Sequence, residues 1–254
     1  MKIKTYNNEI KNFNGLLFLD VANTTNFLKE MFIYEKQKED ASIEINNKNI
    51  WLSECVIISP LTKYSDLFAF NSKNVITKLL SIINIDYANI LNIDYISNNI
   101  LHEINQNFNN DIVSVDNSSI KIIKSLINIS DDFISEDDVL NYLNLLQYEN
   151  EPKTIILKDF NNLKLFELSN YITINNIIVL KNDIIYDLKN NFELFEAYAL
   201  VDEQNSRIIK IESINGFEYF LEELFEKEIS DDILVNMSDK EMHKIKLSLK
   251  NNIF

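Results

Sequence analysis

Few residues in this chain could do chemistry, and most of them are acids. Asp111 and Asp116 fall between two apolar segments, and Asp131, Asp132, Glu136, Asp137 and Asp138 crowd the next turn. Loop carboxylates at such density suit Ca²⁺, which takes about six to eight oxygen ligands in flexible geometry. The same residues serve equally as helix caps and a solvated acidic surface. The spacing is not that of an EF-hand, since it lacks the loop glycine and the terminal glutamate. Asp20 closes an apolar run, a position from which open α/β sheets offer groups to ligands and from which an acid also caps the next helix. Lys73, Lys78, Lys121 and Lys124 stand at the ends or polar faces of expected helices, placed either to meet phosphates or to keep those helices in water.

Other chemistries lack their parts. His102 and His243 are the two histidines, and neither has a serine, cysteine or acid at a relay spacing. Cys55 is the single cysteine, so no disulfide closes within the chain and no cysteine-based zinc site exists; it reads as a small core residue in a strand. Gly15 precedes its strand and Gly216 lies far away, so no backbone cradle for a nucleotide phosphate can form. The expectation is a protein that is not an enzyme and binds no nucleotide.

The formal charge of −15, with Arg207 as the single arginine, opposes a simple nucleic-acid reading. A closed assembly can nevertheless keep acids outside and lysines inside, so distribution decides. Hydrophobic residues make up 46% of 254 positions, enough for a sizeable core. Two glycines, two prolines and abundant asparagine, isoleucine and lysine fit an AT-rich genome. No charged-then-apolar leader opens the sequence and no apolar run approaches the ~20 residues of a membrane span, which makes the cytoplasm the expected location.

The elements that must position these residues follow from apolar patterning. Residues 1–5 read as a strand, and 15–20 as a strand covered on both faces. Thr24 and Thr25 are cap candidates for a helix with Phe27, Leu28, Met31, Phe32 and Tyr34 on its apolar side. Residues 42–46 alternate and turn through Asn46 and Asn47 into a hairpin, and 55–59 form a second buried strand closed by Pro60. From Ser72 to about Tyr148 the periodicity is helical, with a stripe of Ile96, Ile100, Ile104 and Phe108. Ser135 caps a helix through Val139, Tyr142, Leu143 and Leu146. After Pro152 come strands at 153–157, 176–180 and 197–201 with a helix at 163–171, a βαβ order that implies parallel pairing. Residues 207–212 read as a strand, Phe217, Phe220, Leu221, Leu224 and Phe225 as one face of an acidic helix, and Ser238 with Glu241 as the capping box of a lysine-rich one. The expected fold is α/β: a parallel-sheet head at 1–71 and 150–203, a helical leg inserted at 72–149, and a C-terminal extension at 204–254 packed on the head.

The order of the pieces carries a resemblance. A strand ending in Leu19 and Asp20 leads to an aromatic-rich helix and an acidic hairpin. CVIIS at 55–59 and LFAFNS at 67–72 follow, opening a helix at VITKLL, 75–80. Farther on stand IIKSL at 122–126, TIIL at 154–157, IIVL at 177–180 and IYDL at 185–188. From about residue 14 to 203 this resembles the Csn adaptation proteins of type II-A CRISPR loci. The resemblance implies a head similar to a RecA-type core without nucleotide chemistry, a helical leg, and a homotetrameric ring around double-stranded DNA that binds DNA ends without regard to sequence during spacer acquisition. It implies calcium as a structural ion, and as partners the CRISPR integrase complex and the type II effector nuclease. On that basis Lys73, Lys78, Lys121 and Lys124 become phosphate contacts, and Asp111, Asp116, Asp131 and Asp132 become calcium ligands, although Lys121 stands where relatives are acidic. Residues 205–254 run past the end of the shorter members and either thicken the head or supply a subunit contact. The rival reading is a helical and α/β oligomeric scaffold that does not touch DNA.

Overall fold

The computed structural model describes residues 1–5, 9–11, 13–68, 129–146, 151–161, 163, 168–172, 175–188, 191–203, 207–228 and 236–251. The expected helices between Ser72 and Asn128, with Lys73, Lys78, Asp111, Asp116, Lys121 and Lys124, lie outside the described residues, as does His102. The chain divides into a unit of Met1–Leu61 with Ile134–Phe254 and a unit of Thr62–Phe133.

The larger unit is built on a six-stranded sheet. Its parallel members are β3 (Leu16–Asp20), β6 (Val56–Ile58), β7 (Thr154–Lys158), β8 (Asn176–Lys181) and β9 (Tyr198–Asp202), and β10 (Arg207–Ile209) pairs antiparallel to β9. Across the sheet the order is β10-β9-β3-β8-β7-β6. Numbering the parallel strands as the chain meets them gives 5-1-4-3-2. Leu16 pairs with Ile177 and Val56 with Ile155, so neighbours in space come from distant parts of the chain. A smaller antiparallel sheet, in the order β2-β1-β4-β5, joins β1 (Lys2–Lys4), β2 (Glu9–Ile10), β4 (Ile43–Ile45) and β5 (Lys48–Ile50). Its hairpin turns at Asn46 and Asn47, both at positive φ, the geometry that suits the right-handed twist of paired strands.

Alternation along the parallel strands produces the core. Leu17, Leu19, Ile156, Ile178, Leu180, Ala199 and Val201 point to one face of the large sheet. There they meet Phe27 and Met31 of α1 (Thr24–Lys38) and Ile3, Ile43 and Ile45 of the small sheet. The in-between residues Phe18, Ile155, Leu157, Ile177, Val179, Tyr198 and Leu200 are buried as well, as a parallel sheet covered on both faces requires. The N-cap of α1 is Asn23, whose side chain accepts the Asn26 amide, one residue before the threonines expected there. Phe32 faces outward at 49% exposure with the Lys36 ammonium 4.6 Å from its ring centroid. In β6, Ile57 is 41% exposed because this strand is the sheet's edge, so the run at 55–59 is not buried throughout.

Helix α3 (Glu136–Leu145) starts at Ser135, whose hydroxyl accepts the Asp138 amide at 3.3 Å, and lies in the larger unit. The helix expected at 163–171 is described only in part, as a 3₁₀ turn at Ser169–Tyr171. Past β8 the chain makes a 3₁₀ turn at Ile184–Asp187, then α4 (Asn191–Glu196) and, beyond β10, α5 (Ile214–Phe225) and α6 (Asp239–Lys250). Ser238 and Glu241 form the expected capping box of α6. In the smaller unit, α2 (Tyr64–Leu67) follows Lys63, which bridges to Phe133. Among the described residues no helix is long and apolar enough to cross a membrane.

Candidate functional site

Parallel strands end together, so their last residues gather at one edge of the sheet, where α/β proteins hold ligands. Here that edge receives Asp20 from β3, Lys158 and Asp159 from β7, Lys181 with Asp183 from β8, and Asp202 from β9. Asp20 has no exposed surface. One of its oxygens accepts the Lys246 ammonium at 2.8 Å and the Asp183 amide at 3.0 Å, and the other accepts the Tyr198 hydroxyl at 3.2 Å. The Lys246 ammonium also donates to the Asp183 carboxylate at 2.6 Å. One lysine from the last helix therefore joins two acids from the ends of two neighbouring strands.

Burial and charge oppose each other in this group. Burial lifts the Asp20 carboxyl above its usual range, and the Lys246 ammonium and the Asp183 amide pull it back down. For Lys246 burial works against the charge, but Asp20 and Asp183 outweigh it and hold the ammonium above the ordinary lysine value. We therefore read the pair as ionised, because each charge has its counter-charge and its hydrogen bonds within the protein. Tyr198 is pushed well above its normal value by burial and then by Asp20, so its hydroxyl stays protonated and can only donate to the carboxylate.

The rest of the edge is engaged in the same way. Lys181 pairs with Asp187, and Lys158 with Asp159, whose carboxylate also takes the Thr24 hydroxyl at 2.8 Å. Arg207 pairs with Asp202 at 3.1 Å and donates to the Lys250 carbonyl at the end of α6. A cavity of about 170 Å³ remains beside Asp20, lined also by Asn182, Asp183, His243 and Lys246. His243 is exposed, and its Nδ1 lies 3.1 Å from the Tyr186 hydroxyl.

Elsewhere the sequence candidates take local partners. Asp131 accepts the Ser65 hydroxyl at 2.7 Å and Asp132 the Ser130 hydroxyl at 2.6 Å. The Asp132 carbonyl also accepts the Tyr64 amide at 3.1 Å. The Asp131 carboxylate and the Asp132 carbonyl thus tie together the two ends of the smaller unit, while the Asp132 carboxylate closes a local turn. Among the described residues, no three His, Cys, Asp or Glu side chains come together as a metal site. Cys55 stands just before β6, half-buried, with its thiol pushed up to about 12 by burial and by Glu35 and Glu54, which makes it unreactive near neutrality.

Of the residues at the sheet edge, sequence reasoning singled out Asp20 and missed Lys246, Asp183 and Tyr198. A signal for Lys246 existed: it sits among Met242, Ile245 and Leu249 on the apolar side of α6, where a lysine needs a buried counter-charge. No protein-family model matches the chain, and no curated protein is significantly similar to it.

Proposed function

We propose that this chain is a non-catalytic binding protein that grips ends of double-stranded DNA as a homotetrameric ring during CRISPR spacer acquisition. The observation that carries the reading is the strand order. A largely parallel sheet with its parallel strands in the order 5-1-4-3-2 supports an α/β head of the kind that the resemblance of residues 14–203 implies. The long passage from β6 to β7, whose strands pair directly, leaves room for an inserted helical leg. The filled carboxyl edge favours binding over catalysis, because the groups that would hold a substrate there hold each other. In this reading Lys73, Lys78, Lys121 and Lys124 meet phosphates. Calcium held by Asp111, Asp116, Asp131 and Asp132 steadies the ring, and the integrase complex and effector nuclease are its partners.

The test is a gel shift of one duplex, linear and as a covalently closed circle, over a range of salt and in calcium or EDTA, with the mass by light scattering. A tetramer is expected. Linear DNA should bind far better than the circle, with an affinity that falls steeply with salt. Neutralising one of the four lysines should lower the salt slope by about one unit per phosphate contact in each bound protomer. The net charge of −15 favours the rival, an acidic oligomeric scaffold without DNA. A monomer, equal binding of both forms, or no binding at low salt would decide for that rival or against both readings.

A further inference from the structure

The group at the sheet edge has the construction of an occupied binding site. Asp20 is fully buried and oriented from two sides, by the Tyr198 hydroxyl and by the backbone amide of Asp183. Asp183 sits at φ 59, a left-handed conformation that is uncommon outside glycine, and this lets it present both its amide to Asp20 and its carboxylate to the ammonium. Lys246 is 7% exposed, while Lys240 and Lys244 of the same helix are in solvent. An apolar residue of similar size at position 246 would be the more stable choice in a core that held no charge. A lysine there answers a carboxylate that must be neutralised.

We propose that the carboxyl edge of the sheet is a built binding site for a primary ammonium group, and that α6 supplies its resident ligand, the side chain of Lys246, thereby shutting the edge to solutes. Met242, Ile245 and Leu249 of α6 are buried to within 3% exposure and seat the helix so that the ammonium reaches both carboxylates. The neighbouring cavity of about 170 Å³ is the remainder of the site that the lysine does not fill. This inference does not depend on DNA binding, and its test is separate.

Lys246→Ala removes Cγ, Cδ, Cε and Nζ, which n-propylammonium replaces atom for atom. The variant is expected to melt about 10 °C below the wild type. Titrated n-propylammonium chloride should restore part of that loss in a saturable way, while tetramethylammonium chloride at equal ionic strength should not. The wild type and an Asp20→Asn/Lys246→Ala variant should show no such rescue. Lys246→Met, which keeps the length of the side chain, guards against an alanine variant too unstable to measure: it too should melt lower, and adding Asp20→Asn should recover at least half of the loss. Wild-type melting of Lys246→Met, no recovery in that pair, or equal effects of the two ammonium salts on Lys246→Ala would overturn the proposal.

Discussion

Asp40 shows how single side chains tune this protein. Its carboxylate accepts the Lys4 ammonium at 2.9 Å and the Tyr34 hydroxyl at 3.0 Å, tying α1 to the small sheet. The hydrogen bond from Lys4 is the chief reason that its carboxyl is held below the usual aspartate range. A carboxyl lowered on folding adds stability above the unfolded value, about pH 4, and loses it as the pH falls through the folded one. Melting temperatures of the wild type and Asp40→Asn should therefore differ at neutral pH and converge in acid. A difference that persisted or grew in acid would show that the charge of Asp40 is not its source. Because Asp40 is partly exposed, the neutral difference is expected to be small and to shrink with salt. This pair joins positions 36 residues apart, and no local pattern in the sequence announced it.

At the scale of elements, the near-absence of glycine has a visible cost. Helices α1 and α5 both end at a left-handed glutamate, Glu39 at φ 53 and Glu226 at φ 52, where glycine is the usual choice. Replacing either with glycine relieves the Cβ clash but loosens the unfolded chain, so the expected net gain is about 0.5–1 kcal/mol. Denaturant midpoints that stayed or fell in both variants would count against this account. Gly15, at φ 81 with its carbonyl accepting the Ile177 amide at 2.7 Å, is one place where the chain did keep a glycine for its backbone. Elements were the most legible part of the sequence. Apolar runs located β3, β7, β8 and β9, alternation and two asparagines located the β4–β5 hairpin, and Ser135 and Ser238 marked their helix starts. The exposure of Ile57 and Phe32 was not legible, because an apolar residue carries no mark of whether its strand is an edge or its helix face is covered. Asp20 could be placed at a strand end from sequence, but its partner lies 226 residues away and could be found only in three dimensions.

For the whole molecule, the ion pair makes the C-terminal segment part of the head. Met242, Ile245 and Leu249 cover apolar surface, and Lys246 neutralises Asp20. Deleting residues 236–254 would leave a buried carboxylate without its cation and uncover apolar surface. The shortened chain is expected to expose hydrophobic surface, to bind a dye such as ANS, and to lose its cooperative melt. A cooperative transition at the wild-type temperature would show instead that the segment is an appendage.

The strand order also sets a timetable. β3 lies at the middle of the sheet between β8 and β9, yet it is among the first strands to be made, and its partners follow more than 150 residues later. At about 5–20 residues per second on a ribosome, Leu17, Phe18 and Leu19 wait on the order of ten seconds for the neighbours that bury them. Closing such long loops slows folding, so the nascent chain presents this apolar strand with open edges for most of its synthesis. The lysine that neutralises Asp20 arrives later still, which makes the birth of this protein, rather than its finished state, the period in which it most needs protection from aggregation.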